Sequence, residues 1–132
     1  MMTARFQISL LWLALLLGLI AHSVLGMIPI VYNAPSPATE SGGKTMMLLW
    51  QLSIVFASHL LLATLAALVD ARWASVVNLA ASSLFLLSNL AHPVAHLFAS
   101  PIEWHQVFFL TMIAALNVQL VRTSFTLLKT TQ

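Results

Sequence analysis

Four apolar runs, at about residues 6–30, 46–69, 73–100 and 102–128, constrain this chain more than any other feature. A transmembrane helix needs roughly 20 predominantly apolar residues to cross a hydrocarbon core of about 30 Å, and each run is long enough. The four runs use most of the 132 residues, so a single transmembrane domain, 1–132, is expected. Only 6% of residues are charged and 61% are hydrophobic, with a mean hydropathy of +0.98. A soluble domain carries about a quarter charged residues and could not cover itself with so few polar groups. A soluble enzyme, a disordered tail and a nucleic-acid binder are therefore excluded. The chain has no cysteine, which excludes disulfides, zinc–thiolate sites, iron–sulfur clusters and thiol catalysis.

The connections suggest how the spans are arranged. Residues 31–45 form the one long loop, broken by Pro35, Pro37, Gly42 and Gly43. The turn at Asp70-Ala71-Arg72 is tight, with Arg72 as the evident companion of Asp70, and so is the turn around Pro101. Short turns make consecutive helices antiparallel neighbours. Arg5, Arg72, Arg122 and Lys129 fall on one side and Lys44 alone on the other. The positive-inside rule then puts both termini in the cytoplasm and the loop 31–45 outside. Tyr32, Trp50 and Trp104 fall at the outer interface and Trp73 at the inner one, as in an aromatic belt. The fold class expected is an all-α integral membrane four-helix bundle with up-down neighbours. The charge asymmetry and compact loops point to a bacterial inner membrane, N-in/C-in. Arg5, the apolar run and Ala21-His22-Ser23 also resemble a signal peptide, but the run continues through Val31, which reads as a span.

The histidines are the main functional clue, because polar residues inside a bundle are costly in lipid and by default mark function or helix contact. All four spans carry at least one of His22, His59, His92, His96 and His105. At a rise of about 1.5 Å per residue, His22 lies about 12 Å below the outer end of its helix and His92 at a similar depth. His96 is one turn nearer the outside, His105 is near the outer end of the fourth span, and His59 is deepest. On the third helix Asn78, Ser82, Asn89, His92 and His96 fall within a narrow arc that must avoid lipid. His92 and His96 are spaced to hold one metal, with Pro93 between them as an expected kink that frees the carbonyl of Asn89. His22 is flanked by Gly18 and Gly26, and His59 shares a face with Ala63 and Ala66, which leaves room for a flat group or for a neighbouring helix. On the fourth helix His105, Met112, Gln119 and Arg122 share a face, expected as an inward polar seam.

Two imidazoles from different helices are a common way to hold haem iron in a membrane. Depth pairs His22 with His92 first and His59 with His92 next, with His96 a further candidate. Asn89 and Gln119 are candidates to orient ligands from behind, and Glu103 is a possible hard ligand or acceptor. A copper reading uses His92, His96 and His105 with Met27, Met46 and Met47, since thioether and imidazole suit Cu(I). No nucleophile–base–acid set is visible, so no catalysis by the chain alone is expected, only a redox subunit.

Four short-looped spans with histidines near one face resemble the plan of small membrane b-type cytochromes and haem-bearing anchor subunits. That likeness is one of plan and carries no motif; it implies haem b and electron transfer without assigning residue roles. Two other readings compete. One is a non-catalytic accessory or assembly subunit that binds other membrane subunits through the polar stripe. The other is a homo-oligomeric channel, transporter or copper carrier. All three share membrane lipid as surroundings and involve no nucleic acid.

Overall fold

Lipid offers a bare amide no hydrogen-bond partner, so each apolar run satisfies its own backbone by coiling into a helix. The computed structural model describes residues 3–33, 42–98 and 102–130. Its elements are α1 (Ala4–Asn33), α2 (Gly42–Leu68), α3 (Arg72–Leu97) and α4 (Trp104–Thr130). All four are long and apolar enough to cross a membrane. Leu17, Leu61, Leu84 and Phe108 turn outward, exposing about two-thirds of their surface, which fits insertion into lipid. Helix takes both edges of the expected long loop: α1 runs on to Asn33 and α2 starts at Gly42. Pro35 and Pro37 lie outside the described residues, as does Pro101. α3 is one continuous helix through Pro93. Its first residue follows an extended Ala71 that supplies no side-chain cap.

α1 packs against α2 and α4, and α4 packs against α3. The remaining seam, between α2 and α3, is barely closed. Ile8, Trp12 and Leu15 of α1 meet Leu62, Ala63 and Ala66 of α2 and Leu110, Ile113 and Leu120 of α4 in the apolar core. Small residues let the helices approach. A Cβ on Gly18 would stand 3.0 Å from Ile113 Cγ1 and 3.3 Å from its Cδ1. Gly18→Val is therefore expected to cost about 1–3 kcal/mol by overpacking the α1–α4 contact, read as a lower unfolding midpoint in detergent.

The polar stripe of α3 is used within the chain. Asn78, Ser82 and Asn89 are buried. Trp12 Nε1 donates to Asn78 Oδ1 at 2.8 Å, Asn89 Nδ2 donates to Asn117 Oδ1 at 2.8 Å, and Asn117 Nδ2 donates to the Ser82 carbonyl at 3.0 Å. Buried amides demand such partners, because an unsatisfied polar group in hydrocarbon is costly. Ser9 Oγ adds a bond to the Ala63 carbonyl at 2.6 Å.

Asp70 does not rely on Arg72. Its carboxylate lies 3.2 Å from an Arg5 guanidinium nitrogen, while Arg5 also donates to the Ala66 and Ala67 carbonyls at 3.1 and 3.2 Å. These last-turn carbonyls have no helical donor of their own, so a guanidinium fork from α1 satisfies them better than a local turn contact does.

Candidate functional site

A partly open cavity of about 400 Å³ lies among α1, α2 and α3, with the start of α4 at one end. Leu19, Leu52, Val55, Phe56 and Phe85 give it apolar walls. His22, His92, His96, Asn89, Glu103 and Gln106 supply its polar groups. Its volume is within the roughly 300–1,000 Å³ of ordinary ligand pockets, and its mixture of apolar wall and few convergent polar groups is also typical of them.

The cavity brings three imidazoles together. The His22 ring centre is 6.0 Å from that of His92 and 5.7 Å from that of His96, with ring planes nearly perpendicular in both pairs. His22 comes from α1, and the other two stand one turn apart on α3. His22 Nδ1 is 2.6 Å from Gln106 Oε1, and Gln106 is almost fully buried. An amide oxygen only accepts, so His22 donates from Nδ1 and leaves the Nε2 lone pair free. His96 Nδ1 lies 3.2 Å from Glu103 Oε2. With Nδ1 bound to a carboxylate, its Nε2 is likewise the nitrogen left for a ligand. A metal-binding histidine is commonly oriented this way, its other ring nitrogen tied to a carboxylate or carbonyl oxygen.

The other candidates are placed elsewhere. His59 is fully buried, but it is not part of the cavity lining. Its Nδ1 donates to the Val55 carbonyl at 2.8 Å, and its ring lies 5.2 Å from Trp12 and 4.5 Å from Phe85. Phe85 thus contacts His59 while also walling the cavity. His59 Nε2 is a buried nitrogen without a hydrogen-bond partner. His105 is exposed and does not join His92 and His96. Among the described residues no group of three or more His, Asp or Glu is arranged to hold a metal ion. Met27 and Met47 are exposed, and the Met46 side chain lies outside the described residues. Asn89 lines the cavity while bonding Asn117. Gln119 is about 20 Å along α4 from Gln106, since 13 residues separate them, and it bonds Thr123 instead.

The face of α4 expected to point inward points outward: His105, Met112, Gln119 and Arg122 are all exposed. The buried face carries Gln106, Leu110, Ile113, Asn117, Leu120 and Ser124. Gln106 and Asn117 win because each finds a partner inside the bundle, half-buried His22 or buried Asn89, that the exposed face lacks. Gln106 is the site residue that sequence reading missed. Its signal was the alternating four-and-three spacing that joins 106, 110, 113, 117, 120 and 124 on one side of a helix.

No protein-family model, curated protein or solved structure matches this chain.

Proposed function

We propose that this chain is a small integral membrane protein that holds haem b between His22 and His96 and passes electrons near the outer face of the membrane. The observation that carries this reading is one pair: two imidazoles from different helices, 5.7 Å apart, each with Nδ1 engaged by an oxygen acceptor. Two imidazoles that would share one metal ion have ring centres roughly 6 Å apart, given metal–nitrogen bonds of about 2 Å. Depth alone favours His92 as the partner of His22, but only His96 has a carboxylate behind it. His92 is then the alternate ligand. Bound bis-imidazole haem supplies low-spin, one-electron chemistry. Gln106 and Glu103 hold the two rings in the tautomer that presents Nε2. Leu52, Val55, Phe56 and Phe85 would give a bound macrocycle apolar contact. Among the described residues no lysine or arginine lines the cavity, so acidic substituents of a ligand would be left to water at the opening.

The accompanying arrangement is an up-and-down antiparallel bundle with both termini in the cytoplasm of a bacterial inner membrane. The four cations Arg5, Arg72, Arg122 and Lys129 support it through the positive-inside rule. The contact of Arg5 with the end of α2 supports opposite directions for α1 and α2. The cavity then lies toward the outer side, within reach of a redox partner subunit. Asn78, Ser82 and Asn89 of the α3 stripe are bonded or buried within the chain, which favours this reading over a purely adhesive role.

An absorption spectrum of the detergent-purified chain tests the proposal. A Soret band and α/β bands that sharpen on reduction are expected after expression in haem-replete cells. A colourless protein that takes up no haem when it is added would overturn it.

A further inference from the structure

A second cavity, of about 230 Å³, lies at the opposite end of the molecule, between the first turn of α1 and the later turns of α4. Arg122, Gln7, Gln119 and Thr126 line it. Arg122 is exposed there and forms no ion pair among the described residues. It lies about 12 Å short of the end of α4, at eight residues of helix, level with the start of α1. A guanidinium near the edge of hydrocarbon gains from an oxygen anion close by, since an unpaired charge is costly there. Its planar fork suits phosphate, and the two glutamine amides beside it add donors. The neighbouring charges favour an anion as well. Arg5, Arg72, Arg122 and Lys129 lie at this end with Asp70 as the one described carboxylate, and Asp70 is taken by Arg5.

We infer that this groove binds the phosphate headgroup of an anionic phospholipid of the inner leaflet, with Arg122 as the charged contact and Gln7 and Gln119 as donors to its oxygens. The site is separate from the histidine cavity and does not depend on haem. A lipid is favoured over free phosphate because the groove lies between two helices long and apolar enough to cross a membrane, so acyl chains are what would surround it.

Native mass spectrometry of the detergent-solubilised chain tests this, with phosphatidylglycerol and phosphatidylcholine of identical acyl chains as probes. The protein is expected to retain phosphatidylglycerol in preference to phosphatidylcholine, and millimolar inorganic phosphate is expected not to displace it. Arg122→Gln should lower retention about fivefold, the effect of roughly one basic residue beside anionic lipid. Arg122→Lys should keep most of the binding, which separates loss of charge from loss of fold. Gln119→Leu should give a smaller loss, and Arg72→Gln, outside the groove, a loss well below that of Arg122→Gln. Equal retention of the two lipids would overturn the proposal, as would an unaffected Arg122→Gln or an equal loss in Arg72→Gln. Displacement by inorganic phosphate would also overturn it, by giving the groove to a free anion.

Discussion

Replacing His22 with alanine is expected to abolish the low-spin haem spectrum of the proposed complex. His22 is the one imidazole that α1 brings to the cavity, and it faces both His92 and His96. Removing it takes away one of the two nitrogens that would hold the group, whereas removing either α3 histidine leaves the other one turn away. His96→Ala is therefore expected to keep a shifted spectrum through His92. Gln106→Leu gives a finer version of the same experiment. It leaves every ligand in place but frees His22 Nδ1, and loss of such an outer partner typically costs about 10–100-fold in affinity. Haem titration of the apo-protein, followed at the Soret band, reads all three variants. An unchanged spectrum in His22→Ala would refute the assigned pair.

Trp12→Ala is expected to be the most destabilising single substitution in the chain, at about 3–5 kcal/mol. Trp12 is fully buried and packs edge-on against His59 and Phe85 at 5.2 and 5.7 Å. The helices are not driven together by a difference in apolarity from lipid, so lost packing contacts make up most of the cost. The indole is also a polar link between α1 and α3, through Asn78. Trp12→Phe retains most of the volume and strands Asn78 Oδ1. It is expected to cost about 0.6–1.7 kcal/mol, from the average to the maximum found for hydrogen bonds between membrane helices. Helicity followed through an SDS titration ranks the variants. A Trp12→Ala loss no larger than that of Trp12→Phe would show that packing at this position is not what holds α1 in place.

Much of the architecture was legible because run length alone identifies a segment that can cross lipid. The ends were not, since apolarity says where a helix can be buried and not where it stops: α1 continues past its expected end to Asn33, and α2 begins already at Gly42. The convergence of His22 with His92 and His96 could be read from depth, which is simple arithmetic on helical rise. What surrounds them could not. A depth estimate places a residue along the axis and leaves its direction around the axis open. That is how the outward face of α4 came to be read as an inward seam, and how Gln106 went unnoticed beside His105. Trp12 had no polar neighbour in sequence to mark it; its partner Asn78 is 66 residues away. Asp70 likewise found its cation 65 positions back, at Arg5, instead of two residues ahead.

The loose seam has a mechanical consequence. No hydrogen bond among the described residues joins α2 to α3, while the α1–α2 and α3–α4 contacts are tight and α1 is held to α4. The molecule is thus built like a book, with two stiff covers and its spine along α1 and α4. The Trp12–Asn78 bond and the His59–Phe85 ring contact tie the covers together farther along the helices, so spreading of the fore-edge is confined to the end where His22 lies. A guest bulkier than the resting hollow can be admitted by a hinge, and from the side, with no need for any helix to unwind.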